Sequence, residues 1–405
     1  MTEQTLQGTE QTLQEVVEAL EPLERRAGSL GEREAADWLL DRLIAAGARN
    51  ARIEQEQFLD GYAPLLSALT ATGAVAGLVS GGRRLRRAAA ATAALAMAAI
   101  ADDACNGPRL ARRAAIKPKP TWNVVAECGD PDAGRTLVVM AHHDAAASGL
   151  IFDDTLQRLA GDLAPGVLER IDTSIPLWWA VLSGPGLVAL GAAKGRPGLV
   201  RLGTLISVVA TAAFADIARS PIVPGANDNL TAVAVQVALA ERLHAEPVEG
   251  LRVLLVSCGG EEVMQGGIRA FAQRHFDSLD RDRTWFLNLD TVGSPRLIML
   301  EGEGPLIMED YYDRTFRDLV ARAAEHADAP LRRGMRSRNS TDAVIPSRAG
   351  FATATLTSMD RYKALSNYHQ MSDTAENLEY RTVMQALTVT EAVARALAAD
   401  RWLPS

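Results

Sequence analysis

Seven side chains able to bind a metal ion or move a proton follow one another at expected strand ends and loops: His142, Asp144, Asp228, Glu261, Glu262, Asp290 and His369. Carboxylates and imidazoles with no thiolate among them suit a catalytic zinc or a related divalent pair. A pair of ions needs a carboxylate between them, terminal ligands on each, and a base nearby to take a proton from water. Two neighbouring glutamates such as Glu261 and Glu262 are, alone, no more than solvated charge. Their order and company along the chain give them chemical meaning.

The elements that must position them are legible around each one. Residues 251–258 (LRVLLVSC) form an apolar, β-favouring run broken by Gly259 and Gly260, as expected of a buried parallel strand ending in a turn. Glu261 and Glu262 sit on that turn. Residues 135–141 (RTLVVMA) stop at His142, and residues 284–289 (TWFLNL) stop at Asp290. Further strands are expected at 54–58, 121–128 and 352–356. Helices are expected at 9–26, from Ser29 (with Glu32 at capping-box spacing), and at 228–244, 268–274, 311–324 and 381–399. Alternating strands and helices predict an α/β sheet covered on both faces, with ligands gathered at the carboxyl ends of its strands. By strand alternation His143 points away from His142 and Asp144 points with it. His244, His275 and His326 read as ordinary helix histidines, Cys258 as a packed residue, and Asp373 with Glu376 as caps of a turn.

The chain has 405 residues and a net charge of −8, with no broad basic face, which argues against a nucleic-acid partner. Its three cysteines lack CxxC spacing, so neither a disulfide framework nor a thiolate zinc site is expected. The start carries a polar duplication, TEQTLQ, in place of a signal-peptide pattern.

Four stretches carry no charge at all: residues 61–82, 88–101, 173–193 and 202–215. Arg83, Arg84, Arg86 and Arg87 separate the first two; Lys194, Arg196 and Arg201 separate the second two. This predicts two apolar helical hairpins, 61–101 and 173–215, each with a long arm followed by a short one. A run of about 20 apolar residues can cross a bilayer, while about 14 is short unless arginines snorkel. Membrane association through both hairpins is the expectation. A soluble helical projection serving as a lid or dimer contact is the alternative. Basic residues also flank the other end of the first hairpin (Arg109, Arg112, Arg113, Lys117, Lys119), so charge assigns no sidedness.

Five motifs in order, AHHDA (141–145), PGANDNLTAVAV (224–235), GEE (260–262), NLDTVGS (288–294) and YHQMSDTAENL (368–378), resemble those of metallopeptidase family 28. That family includes di-zinc aminopeptidases, glutamate carboxypeptidase, glutaminyl cyclase and the transferrin receptor. The resemblance implies a three-layer α/β zinc-exopeptidase fold with a central mixed, largely parallel sheet. The peptidase domain would comprise 1–60, 119–150 and 219–405, with the inserted hairpins at 61–118 and 151–218. It implies two zinc ions, with His142 and Asp290 on one, Glu262 and His369 on the other, and Asp228 bridging. Glu261 would be the general base, Asp144 would orient the His142 imidazole, and Tyr368 would polarise the substrate carbonyl. The peptide bond after Asp228 is cis in relatives. The expected activity is that of a zinc-dependent exopeptidase on peptide substrates, most simply an aminopeptidase. A glutaminyl cyclase-like acyltransferase and a non-catalytic membrane receptor or scaffold are the alternatives. The expected location is the membrane, with a soluble cytoplasmic enzyme as the alternative; the oligomeric state is left open. The long interval between His142 and Asp228 holds the second hairpin, which could fold over the metal rim.

Overall fold

The protein is described by a computed structural model covering residues 3–400. Its nine described strands are β1 (Arg49–Phe58), β2 (Lys119–Gly129), β3 (Thr136–His142), β4 (Arg252–Cys258), β5 (Thr284–Leu289), β6 (Arg296–Glu303), β7 (Glu309–Asp310), β8 (Arg332–Ser337) and β9 (Ala352–Met359). All belong to one sheet ordered β1-β2-β4-β3-β5-β9-β6-β7, with β8 on β6. The centre, β4-β3-β5-β9, is parallel, while β1, β2, β6 and β7 join by antiparallel pairing. Strand β3 is buried at every residue, which is why it reads as an unbroken apolar run. Its neighbours β4 and β5 lie on opposite sides; the chain leaving β3 reaches β4 over one face of the sheet and the chain leaving β4 reaches β5 over the other, which opens a crevice above these carboxyl ends.

The first helices are α1 (Glu3–Leu20), α2 (Leu30–Ala45), α3 (Tyr62–Leu78), α4 (Arg83–Ala104), α5 (Leu110–Ala115), α6 (Thr155–Leu163) and α7 (Pro165–Glu169). The rest are α8 (Leu177–Lys194), α9 (Pro197–Ile217), α10 (Thr231–Ala245), α11 (Gly266–His275), α12 (Arg314–His326), α13 (Val344–Arg348) and α14 (Tyr380–Ala398). The larger core packs α1, α2, α10, α12 and α14 on one face of the sheet. A smaller core under α11, with Phe271, Phe276, Phe286 and Phe351, fills the other face. The result is the three-layer α/β architecture expected, with a parallel centre and antiparallel flanks. Ser29 caps α2 as anticipated, its Oγ accepting the Glu32 N–H. The Glu32 carboxylate reaches back to the N–H of Gly28 and also accepts from the Thr121 hydroxyl, pinning α2 to β2.

Helices α3, α4, α8 and α9 pack together as a four-helix bundle beside the sheet domain. In both hairpins the arm with the shorter uncharged run is the longer helix: α4 has 22 residues against 17 in α3, and α9 has 21 against 18 in α8. The helix continues through charged residues such as Arg83–Arg87, because arginine is a good helix former. The bundle closes on small residues. A β-carbon on Gly77 would lie 2.0 Å from the Thr204 hydroxyl, and one on Gly203 would lie 2.6 Å from the Gly184 carbonyl oxygen. Helices α3 and α9 are also joined by hydrogen bonds from Ser67 Oγ to the Thr211 carbonyl and from Thr211 Oγ1 to Thr70 Oγ1. Helix α9 is long and apolar enough to cross a bilayer, and only 22% of its most apolar window is buried.

Candidate metal centre

The crevice above β3 brings together every proposed ligand. His142 is the last residue of β3, paired in register with Cys258 at the end of β4. Beyond Cys258 the chain turns through Gly259, where a β-carbon would meet Glu32 Oε1 at 2.2 Å, and through Gly260 at φ +63°. That turn delivers Glu261 and Glu262 beside His142. Asp290 follows β5, its N–H donated to the Leu356 carbonyl of β9. His369 comes from the loop after β9. Asp228 lies in an irregular turn at φ −114°, ψ 82°, just before α10, so it is not the helix residue expected from sequence. The Asp228–Asn229 peptide is cis.

Asp228 stands in the middle. Its Oδ1 is 3.3 Å from His142 Nε2 and its Oδ2 is 3.4 Å from His369 Nε2. His369 Nε2 is also 3.2 Å from Glu262 Oε2, and His142 Nε2 is 3.9 Å from Glu261 Oε2. Three sets of ligand atoms lie within 4.8 Å of one another: His142–Asp228–Asp290, His142–Glu261–Glu262 and Asp228–Glu262–His369. Both ring nitrogens of His369 and Oε1 of Glu262 are buried without a hydrogen-bond partner. Short contacts that miss hydrogen-bond geometry are what ligands around a common ion show; donors about 2.1 Å from a tetrahedral zinc are about 3.4 Å apart. The donor set, all N and O with a carboxylate facing two ways, fits zinc.

The electrostatics make the same demand. Burial pushes Glu261 well above the usual carboxylate range; His142 opposes this, while Asp342, Glu262 and Asp290 add to it. Burial likewise raises Glu262, and with Asp228 it raises Asp290 to about 6. Burial would lower His142 and His369, but the carboxylates around them win, lifting His142 well above its ordinary value and His369 to about 10. So many buried carboxylates are stable only with compensating positive charge.

The surroundings hold these residues in place. The Asp144 carboxylate accepts the backbone N–H of Glu261 at 3.0 Å and of Glu262 at 3.1 Å. His142 Nδ1 lies 3.3 Å from the Asp144 carbonyl and 3.5 Å from its carboxylate. Asp144 thus serves the glutamate loop as much as the imidazole. His143 points away, onto Ser257 Oγ at 2.9 Å, and burial lowers its pKa to about 4. Tyr368 stacks on His369 with ring centroids 3.9 Å apart, and Phe152 meets the same imidazole edge-on at 4.4 Å. Tyr368 borders both cavities beside the ligands, of about 480 and 260 Å³.

Four contributors escape a sequence reading. Gln265 Nε2 donates to Glu261 Oε1 at 3.1 Å and to the Ser340 carbonyl at 3.1 Å. Asp373, expected only as a turn cap, is buried and accepts the backbone N–H of Asn227 and Asp228. Arg25 is buried and donates to the carbonyls of His143, Pro224 and Gly225, tying the His142 and Asp228 segments together. Asp342 is 1% exposed with both oxygens unpartnered.

Solved structures with the same architecture include aminopeptidases and glutaminyl cyclases. They include the aminopeptidase from Aneurinibacillus sp. strain AM-1 (14% identity, 96% of this chain and 93% of that chain covered, TM-score 0.54). A glutaminyl cyclase from Bacteroides thetaiotaomicron is as similar (11%, 95% and 97%, TM-score 0.56). So is BSAP, a zinc aminopeptidase from Bacillus subtilis (12%, 95% and 93%, TM-score 0.53). At these identities the likeness speaks for the fold. Comparison with curated protein sequences finds no match. Residues 207–394 match the family model of peptidase family M28, and that stretch carries Asp228, Glu261, Glu262, Asp290 and His369.

Proposed function

We propose that the protein is a zinc-dependent exopeptidase, an aminopeptidase in the first instance. The observation that carries this reading is Asp228, whose two oxygens face His142 and His369 at nearly equal distance. His142 and Asp290 would hold one zinc, Glu262 and His369 the other, with Asp228 shared. Zinc supplies Lewis acidity, making water acidic near neutral pH and drawing electron density from a carbonyl oxygen. Glu261 takes the proton of the attacking water and returns it to the leaving amine. Gln265 occupies Glu261 Oε1 and leaves Oε2 turned toward His142. Tyr368, held flat on His369, offers its hydroxyl to the substrate carbonyl. The test is metal analysis of purified protein joined to peptide digestion, with Glu261→Gln beside the wild type. About two equivalents of zinc and chelator-sensitive cleavage, falling about 10²–10⁴-fold in the variant, are expected. Cyclisation of glutaminyl peptides without cleavage would favour the acyltransferase, and no zinc with no turnover would favour a scaffold.

The bundle is read as a membrane anchor. Uncharged residues cover its outer faces over 61–82, 88–101, 173–193 and 202–215, the reverse of a soluble bundle. Its interior relies on small residues and hydroxyl hydrogen bonds, as helices in lipid do. Its helices, of 17 to 22 residues, are about 25–33 Å long against a hydrocarbon core of about 30 Å. Arg83, Arg84, Arg86, Arg87, Lys194, Arg196 and Arg201 lie at the turns of the two hairpins, where lipid headgroups would receive them. Sedimentation with membranes that resists high salt and alkaline carbonate is expected; full recovery in the detergent-free soluble fraction would refute the anchor.

A further inference from the structure

Helix α4 ends at Ala104, and the chain turns through residues 105–109 before α5 begins. In that turn two guanidinium groups meet on one side-chain amide. Arg109 Nη2 donates to Asn106 Oδ1 at 2.6 Å, and Arg269 Nη2, from α11, donates to the same oxygen at 2.7 Å. Arg348, the last residue of α13, stands beside them and donates to the Cys105 carbonyl at 2.8 Å. Asn106 and Arg109 lie outside the stretch that matches the peptidase family, whereas Arg269 and Arg348 lie within it. The cluster therefore exists only where the two parts of the chain are joined.

Its charge is not balanced. Asp103 is engaged by Arg112, whose Nε and Nη2 reach it at 2.9 and 2.6 Å, and Glu309 is engaged by Arg348. Asp102 accepts the N–H of Leu110 at 2.7 Å. Among the described residues neither Arg109 nor Arg269 forms an ion pair with a carboxylate, although Arg109 is only 7% exposed. Arg109 Nε, Arg269 Nε and Asn106 Nδ2 are all buried without a hydrogen-bond partner. Burial, then Arg269 and Arg112, lower Arg109 to about 8; burial, then Arg348, Arg112 and Arg113, lower Arg269 to about 10. A buried cation without a counter-charge is costly, and two side by side repel each other. Holding the turn does not account for Arg109. Arg348 already binds the Cys105 carbonyl, and Arg269 Nη2 binds the Asn106 carbonyl at 3.3 Å.

The unpartnered donors define what would suit them. Two planar forks and an amide N–H, meeting at Asn106 from different elements, call for an anion with more than two acceptor oxygens. A carboxylate has two; a phosphate monoester has three strong acceptors and a charge of about −1.5 to −2, which two arginines neutralise. We propose that Asn106, Arg109 and Arg269 form a binding site for a phosphate monoester, with the half-exposed Arg348 at its rim. Free phosphate and the headgroup of a lipid such as phosphatidic acid present the same chemistry. Helix α4, of 22 residues and about 33 Å, separates this site from Arg83 at its other end. On the anchor reading the site stands level with the second headgroup layer; phosphate binding itself does not depend on that reading.

The test follows thermal unfolding of the full-length protein, purified in neutral detergent without phosphate. Sodium phosphate is titrated against sodium chloride of equal ionic strength, and phosphatidic acid, phosphatidylglycerol and phosphatidylcholine are titrated in mixed micelles. Phosphate should raise the midpoint saturably. Phosphatidic acid should act at lower concentration than phosphatidylglycerol, whose diester has fewer free oxygens, and phosphatidylcholine should have no effect. Arg109→Gln and Arg269→Gln should each weaken half-saturation by about 10–100-fold, while Arg314→Gln, at the exposed start of α12, should leave it unchanged. Without phosphate, Arg109→Gln should melt no lower than wild type, because it removes an uncompensated buried charge. Should Arg109→Gln not fold, Asn106→Asp keeps the test decisive: it gives both arginines a carboxylate, so it should raise the phosphate-free midpoint and abolish the response. Saturation by phosphatidic acid but not by free phosphate assigns the site to a lipid, and saturation by free phosphate alone assigns it to a soluble phosphate. No saturable shift from either overturns the site. So does a shift equal in wild type and the variants, as phosphate bound at the metal residues would give, or an Arg109→Gln protein that melts lower and still responds. Recovery of the protein without detergent would refute the anchor and leave the free-phosphate titration to decide the site.

Discussion

Replacing Asp373 by asparagine asks how firmly the ligand loops must be held. Its carboxylate accepts the N–H of Asn227 at 2.8 Å on one oxygen and that of Asp228 at 3.1 Å on the other. The side chain is buried, with Arg25 as the cation near it. Asp373→Asn preserves shape and one acceptor but turns an amide donor toward a second donor. A hydrogen bond to a charged group contributes about 1.5–3 kcal/mol, and a buried unsatisfied donor costs about 1–3 kcal/mol. With some relaxation of the loop, about 3 kcal/mol falls on the segment that presents Asp228. That sets a ceiling of about 150-fold on the loss of metal affinity, since 1.36 kcal/mol is tenfold. Outer partners of metal ligands more often cost about 10–100-fold. Zinc competition against a chromophoric chelator is expected to show a loss in that range with an unchanged circular dichroism spectrum. Wild-type zinc affinity together with wild-type kcat/KM in the folded variant would refute the clamp. Asp144→Asn, measured beside it, loosens the Glu261–Glu262 loop in the same way and should behave alike.

Two further outcomes follow from named contacts. Gln265→Ala frees Glu261 Oε1, so kcat should fall by roughly tenfold with KM little changed. The acid limb of its rate profile should move to higher pH, because a donor to the ionised carboxylate is gone; an unmoved limb would make Gln265 merely structural. Away from the metal centre, burial alone would raise the Glu54 carboxyl, but His275 Nε2 at 2.8 Å and Arg52 outweigh it and hold it below its usual value. The folded state then binds that proton more weakly than the unfolded chain. The stabilisation is complete above the unfolded pKa of about 4.3 and is lost as pH falls through the lower folded value. Urea midpoints of Glu54→Gln should therefore lie below wild type at pH 7 and converge with it in acid; an equal gap at both would exclude this linkage.

What could be read from the chain and what could not differ in kind. That His142, Asp228, Glu261, Glu262, Asp290 and His369 would come together was legible because metal chemistry restricts residue type and because β3, β4 and β5 end visibly in the sequence. That the charge-free runs are helical was legible from their length and composition. Helix ends at the bundle turns were not, since Arg83–Arg87 look like a break and yet continue α4. Strands β7, with two residues, and β8, reading RRGMRS, carry no apolar alternation; they exist because β6 offers them an edge. The backbone contacts made by Arg25, Asp144 and Asp373 pose a deeper difficulty. Asp144 and Asp373 hold backbone N–H groups more than a hundred positions away, and Arg25 holds carbonyls at similar separation. Backbone N–H and C=O groups have the same identity at every residue, so no residue type in the sequence marks the partner. The candidate ligands are marked in the sequence by their residue types, whereas Arg25, Asp144 and Asp373 act on backbone groups that every residue has. The clamps therefore become visible only once the sheet has placed the loops.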